Sequence, residues 1–406
     1  MKRKIIKDRE MLSYEDKPIE EYERDENKKE KKNFFKDSKV KAVIIIAVLL
    51  LVAVSGFGMW KYISPDALQG SVVSSKIKGE GFPVEIKGKN VKGSDICTLN
   101  NNFAYISETQ FQVLNASGGL VVDKRIKYAS PALASSGNYS IIYDREGSDY
   151  EIQSSSGTIY EGNVEDDIFT ATIQKNGAYA ILSKKAGYTA KMTIFNKDNS
   201  QKYAYYFSEC YATSVSLNSD TTKAVVCGLD AKDGSVISKV YVLDFSKEEP
   251  VAKIEFNNST IYSVSFLSNG NIAAIGDQSA MIITSDYQNK YEFTYNGYNL
   301  TSKKITDDKI YLSLSPFEDG KSCEIWSISQ NGITTTTKTG VAITSMDINS
   351  NIVAVLCNNK IRTFNTLTEE ALYEYDAGID AKSILFVNRN TVYVVGTSEI
   401  RTVQIN

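Results

Sequence analysis

The chain has no histidine. Ser-His-Asp and Cys-His nucleophilic arrangements are therefore excluded. Histidine-ligated zinc, copper and non-haem iron sites are excluded with them. Cysteine is sparse, five residues in 406 (Cys97, Cys210, Cys227, Cys323, Cys357), with no CxxC spacing. An odd, scattered set is neither a disulfide framework nor a zinc cluster. No P-loop or dinucleotide fingerprint occurs; Gly56-Phe57-Gly58 and Gly79-Glu80-Gly81 are isolated fragments. There is no basic excess: the net charge is −3. A mildly acidic chain lacks the electrostatic footprint of a nucleic-acid partner.

One long apolar run is present. Ala42 to Trp60 is nineteen residues without a charge. At ~1.5 Å per residue it spans about 28 Å as a helix, close to the ~30 Å hydrocarbon core of a bilayer. Forty-one residues precede it, long for a cleaved signal peptide, although Ser55-Gly56-Phe57-Gly58 resembles a cleavage site. Residues 22–41 hold eight Lys or Arg and residues 61–80 hold three. The positive-inside bias then keeps the N-terminus in the cytoplasm and sends everything beyond Trp60 across the membrane.

Four segments follow from this. Residues 1–41, with 14 basic and 11 acidic side chains, are too polar to bury a core and are expected to be a disordered cytoplasmic tail. Tyr14 and Tyr22 lie in it among acidic residues and suit phosphorylation or a short partner motif, or simply a solvated tail that sets topology. Residues 42–60 are the expected transmembrane helix and 61–81 a linker. Residues 82–406 read as an extracytoplasmic domain.

That domain repeats. An apolar strand recurs as FAYIS at Phe103, YSIIY at Tyr139, AYAIL at Ala178, AVVCG at Ala224, IAAIG at Ile272, IYLSL at Ile310, IVAVL at Ile352 and VYVVG at Val392. The spacings run from 36 to 48 residues. Each run follows a polar turn such as Asn100-Asn101-Asn102 or Ser136-Gly137-Asn138, the residue types that tolerate tight hairpins. One strand before and two after complete four per repeat. Four strands per ~40 residues is the period of a β-propeller blade. The expected fold is all-β: a propeller of about eight four-stranded blades, preceded by one transmembrane helix. Merging the weakest repeat, Ser130 to Val164, would leave seven. The unassigned segment Phe82-Pro83-Val84-Glu85-Ile86-Lys87 is expected to supply the outer strand of the last blade and close the ring. Pro83 is tolerable on such a free edge.

Over residues 82–406 this periodicity resembles the WD40-like and quinoprotein-like propellers. The Gly-His and Trp-Asp signatures of WD40 repeats are absent. Trp326 is the only tryptophan beyond the membrane run, so the docking motif expected of quinoprotein dehydrogenases is missing. The layout also resembles single-pass extracytoplasmic propeller proteins of unknown function in low-GC Gram-positive, clostridia-like bacteria. That resemblance implies cell-membrane localisation with the C-terminal domain outside.

Candidate chemistry is thin. Cys227 and Cys357 fall in apolar strands and read as buried thiols; Cys210 and Cys227 lie on adjoining strands and can pair in an oxidising compartment. No cofactor is expected. Calcium is the metal the remaining side chains suit, at Asp230-Ala231-Lys232-Asp233-Gly234 or Glu165-Asp166-Asp167, which equally read as polar hairpin tips. Tyrosines cluster at 203, 205 and 206 and at 287, 291, 295 and 298; these rings stack on sugars, anchor partners, or fill seams between blades. Tyr128, Tyr211 and Tyr262 precede the inner strands of successive repeats, and are expected to line one mouth of the axis as binding residues. The reading is a membrane-anchored, non-enzymatic binding or scaffold module for an envelope protein, peptide or glycan. The alternatives are a glycan-processing enzyme using a carboxylate pair, and an outer sensor signalling through the tail.

Overall fold

A computed structural model describes residues 81–89, 91–232 and 234–405. The tail, the apolar run 42–60 and the linker up to residue 80 lie outside the described residues. Among the described residues no helix is long and apolar enough to cross a membrane.

The domain is an eight-bladed propeller, each blade a four-stranded antiparallel sheet. The innermost strands of blades 1 to 8 are Ile96–Leu99, Pro131–Ser136, Ile168–Ile173, Tyr211–Leu217, Ile261–Phe266, Asn299–Ile305, Ser345–Asn349 and Ser383–Asn388. The recurring apolar runs form the second strand of each blade. They are apolar throughout because both faces are covered, and successive side chains enter opposite seams. In blade 4, Ala224 and Val226 enter the seam with blade 3, while Val225 and Cys227 enter the seam with blade 5. The core is accordingly divided into eight clusters, one per seam. The turns before these runs use the left-handed backbone that their sequences suggest, at Asn100, Gly137, Gly177, Thr221, Gly270 and Ser350.

The repeat from Ser130 to Val164 is a complete blade, Pro131–Ser136, Tyr139–Asp144, Asp149–Ser154 and Gly157–Asn163, so the seven-blade alternative falls. The 48-residue spacing after Ala224 comes from a long hairpin, Lys223–Lys232 with Ser235–Asp244.

Closure follows the expected route. Val84 pairs with Ile400 and Glu85 with Glu399, making Val84–Glu85 the outer strand of blade 8. The ladder is shorter than the six residues the sequence offers. Ile86 still donates its N–H to Ser398 O at 2.8 Å, but the chain then crosses to blade 1, where Lys87 N donates to the Tyr105 hydroxyl. Gly88, at φ +88°, makes that crossing; a Cβ there would lie 2.2 Å from Ser107 Oγ.

Inner strands of adjacent blades run parallel, and hydroxyls cap their axial edges. Val264 N and Phe266 N donate to Ser214 and Ser216 Oγ, and Ile384 N donates to Ser345 Oγ. This explains the Ser and Thr richness of the inner strands: an unpaired edge N–H needs an acceptor. Inner strands pack least closely between blades 5 and 6.

Candidate functional site

In this topology every inner strand begins at the same end of the ring. That end, here the leading face, also carries the hairpins joining second to third strands and the loops joining blades. The opposite end is the trailing face.

Across the eight inner strands only three residues are charged: Lys303, Lys304 and Asp347. Cross-strand register shows where they point, since directly opposed residues share a sheet face. Lys303 opposes Leu312, which opposes Trp326, and both belong to the seam between blades 5 and 6. Lys304 opposes Tyr311, on the blade 7 side. Lys304 Nζ lies 2.8 Å from the Asp347 carboxylate. The other Asp347 oxygen accepts the Phe386 N–H at 2.7 Å, so this aspartate caps blade 8 as Ser345 does two residues earlier.

Lys303 has no carboxylate in ion-pair contact among the described residues. Its ammonium stands 4.6 Å over the Tyr262 ring, a cation–π contact. It is open to solvent yet surrounded by protein, and burial lowers its pKa to about 8. Burial and the Asp277 carboxylate raise the Tyr262 hydroxyl to about 12. Blades 3 to 6 each shift register near the start of the inner strand, skipping Phe169, Thr213, Tyr262 and Thr301. Such bulges re-aim a side chain. In blades 4 and 6 the skipped threonine caps a carbonyl of its neighbour, Cys227 O or Ser313 O; in blade 5 the skipped residue is Tyr262, beneath Lys303.

The three sequence-predicted tyrosines separate. Tyr262 reaches the axial region. Tyr211 opens the blade 4 inner strand, 67% exposed on the leading face. Tyr128 does not reach the axis: it lies half-buried out along the seam between blades 1 and 2. Burial and the adjacent Glu151 carboxylate hold its hydroxyl far above the ordinary phenol range. Glu151 is buried, lies 2.6 Å from Lys124 Nζ, and directly opposes Glu161, which pairs with the same ammonium.

The other sequence candidates resolve as follows. Cys210 and Cys227 are free thiols on opposite faces of blade 4 and do not meet. Cys227 Sγ contacts Ile261 O and Cys210 sits against Gly228. Glu165 and Asp166 contact Lys185, and Asp167 contacts Lys184. Asp230 pairs with Lys239 at 2.8 Å, and Asp233 is outside the described residues. Among the described residues no three Cys, Asp or Glu converge as metal ligands. Tyr295 is buried, its hydroxyl donating to Gly276 O, whereas Tyr291 lies exposed on an outer strand. Tyr203, Tyr205 and Tyr206 do gather with Tyr188. Tyr203 stacks on Phe245 at 5.0 Å and Tyr188 tilts against Tyr206 at 4.9 Å. They line a groove of ≈ 640 Å³ between the outer parts of blades 3 and 4, with Glu209, Glu248 and Glu249 along it.

Three features of the site were missed from sequence. The axial charges were visible as the only charges in otherwise apolar or hydroxylic inner strands. Away from the outer strands, the leading face gathers six exposed large apolar side chains (Tyr188, Tyr211, Val236, Tyr262, Phe317, Ile379), against Ile333 and Leu367 on the trailing face, while Val121, Ile159, Tyr160, Tyr206, Tyr291 and Tyr373 lie on the outer strands; only the order of strands assigns them to one end. A cavity of ≈ 500 Å³ on the leading face, over blades 8, 1 and 2, draws its lining from loops far apart in sequence.

Solved propellers share this architecture. The C-terminal WD40 domain of Sif2 superposes with a TM-score of 0.56 at 14% identity, covering 81% of this chain and 99% of that one. Sqt1 from Saccharomyces cerevisiae gives 0.58 at 10%, covering 81% and 100%. BamB from Moraxella catarrhalis gives 0.52 at 9%, covering 81% and 97%. At these identities the likeness is one of fold. No curated protein matches the chain. The family model described as a family of unknown function, DUF5711, matches residues 81–405, and the chain belongs to that family.

Proposed function

We propose that this protein is a membrane-anchored, extracytoplasmic binding module that docks an envelope protein, peptide or glycan on the leading face of its propeller, without catalysis. The observation that carries this reading is the concentration of exposed apolar side chains on that face. Exposed aromatic and aliphatic groups gathered at one end are what an interface core uses, and isolated ones need no explanation. Anchoring rests on the run Ala42 to Trp60 and orientation on its flanking lysines. The test is site-specific photocrosslinking in the native envelope, with the crosslinker at Tyr211 or Phe317 and, as control, at Leu367 on the trailing face. Capture of a defined species from the first two positions alone supports the reading. Equal labelling from all three, or none, sinks it.

A carboxylate-enzyme reading has in its favour a partly buried convergent pair, Glu151 and Glu161 about Lys124. It lies in the seam of blades 1 and 2 rather than at the axis, and a lysine already occupies the space between the carboxylates. Loss of glycan turnover in Glu151→Gln, in a folded protein, would revive it. The sensor reading predicts that deleting residues 1–35 abolishes a phenotype while the propeller stays displayed.

A further inference from the structure

The cavity over blades 8, 1 and 2 is lined by Lys92 from the loop into blade 1, Arg145 from the second hairpin of blade 2, and Lys382 from the loop into blade 8. On the same face Lys87, Lys184, Lys185, Lys239, Lys321, Lys360 and Arg401 each contact a carboxylate. Among the described residues no carboxylate lies in ion-pair contact with Lys92, Arg145 or Lys382, and the cavity brings these three together. Asp95, which also lines the cavity, is turned inward to its own turn, accepting from Lys92 N at 2.9 Å and Ser94 Oγ at 3.0 Å. Glu108 is the second acidic group of the lining.

The floor is apolar. Val91 and Ile106 are buried beneath it, with Pro131 half-buried beside them. The amides of Ala129 and Ser130 at the wall already donate to Asp144, at 3.2 and 2.7 Å. They are therefore not free to form the ring of N–H donors that cradles a compact phosphate. The cations come instead from three blades around a space of ≈ 500 Å³. Separate positive groups above an apolar floor suit several carboxylates spread along a chain together with an apolar side chain. Ile379, 91% exposed, stands three residues from Lys382 in the same loop, so the apolar docking surface continues into the basic cavity.

We infer that this cavity captures an acidic peptide segment of the partner that docks on the leading face. The inference rests on the docking reading and adds the chemistry of the partner. Coulomb attraction at an exposed site is modest and salt-sensitive, so the cavity contributes selectivity and rate of encounter more than raw affinity.

The test uses the full chain in nanodiscs, with a fluorescein-labelled peptide of alternating glutamate and leucine as probe. A serine–leucine peptide and inorganic phosphate serve as the other arms. The expected result is anisotropy-detected binding of the acidic peptide alone. It weakens at least tenfold in the triple variant Lys92→Gln, Arg145→Gln, Lys382→Gln, and again between 50 and 300 mM salt, on the order of a halving of the Debye length. All three side chains are exposed, so the variant folds; circular dichroism checks this. Unchanged binding in the triple variant overturns the inference, as does phosphate displacing the probe at equal charge concentration. Retained crosslinking from Tyr211 with lost peptide selectivity would leave docking standing while this inference stood or fell on the probe. Lost crosslinking with intact peptide capture would do the reverse.

Discussion

Among the described residues, Asp347 is the one side chain that both caps a neighbouring blade and closes an ion pair at the axis, and its removal tests the account of the inner ring. Its carboxylate is 6% exposed, while Lys304 is 40% exposed. In Asp347→Ala, the Phe386 N–H loses a charged acceptor, a loss of about 1.5–3 kcal/mol. The ion pair adds at most about 1 kcal/mol, because its cation stays hydrated. The expected destabilisation is therefore about 2–4 kcal/mol. Asp347→Asn keeps an oxygen for Phe386 and should lose about 1 kcal/mol. Lys304→Met leaves a buried carboxylate without its counter-charge, so it should destabilise more than the exposed lysine alone suggests. Adding Asp347→Asn to Lys304→Met should then recover part of the loss. Urea unfolding of the full chain in detergent, followed by tryptophan fluorescence, gives the four corners of this cycle. Asparagine proving as costly as alanine would refute the capping role. Additive single effects would refute the coupling.

Three further outcomes are expected. Deleting residues 82–87 removes buried Ile86 and half-buried Phe82 and Val84, so it should lower stability by about 4 kcal/mol; thermal melts with limited proteolysis should show blade 8 released first, and an unchanged melt would mean the ring closes without its N-terminal strand. Burial raises the Cys97 and Cys227 thiols from near 9 to about 11 and about 12, so their neutral forms contribute stability that is full below pH ~9 and is lost as pH rises through those values; denaturant midpoints falling from pH 9 to 11, with slow native labelling by a thiol reagent, check this, and rapid labelling of all five thiols at pH 8 contradicts it. Lys303 has its pKa lowered to about 8, so a sub-stoichiometric acylating reagent at pH 8 should modify it ahead of Lys304 by mass spectrometry; equal modification would place Lys303 in ordinary solvent.

The ring itself was legible because a blade buried on both faces leaves a signal that survives alone: an apolar run at the second strand, bracketed by turns that need Asn or Gly. Closure was legible for a related reason, since Phe82 to Lys87 had no blade of its own and the last repeat ended one strand short. Tyr128 was misplaced because sequence shows that a residue precedes an inner strand, but not whether its hydroxyl finds a buried acceptor along the seam; Glu151, more than twenty residues later, decided that. Cys210 sits just before the inner strand of blade 4 and Cys227 on the strand beside it, yet pairing also requires a common face: Ala212 opposes Gly228, so Cys210 shares a face with Gly228 and Cys227 takes the other. The basic cavity was illegible because Lys92 and Lys382 are brought together only by closure of the ring.

The departures from eightfold equivalence bear on function more than the repeat does. Inner strands pack least closely between blades 5 and 6; four consecutive blades bulge near the start of the inner strand; the axial charges fall on blades 6 and 7 alone. A closed ring tolerates such irregularity at the axis because its stability resides in the eight radial seams, each with its own apolar cluster. The seam between blades 5 and 6 is filled by Tyr295, Leu312 and Ile328, while Lys303 stands over the Tyr262 ring nearer the axis. These two side chains lie outside the apolar cluster that fixes the seam. Substituting them should alter what the leading face recognises well before it alters whether the propeller folds, and the reverse order would place the ring's stability at its axis.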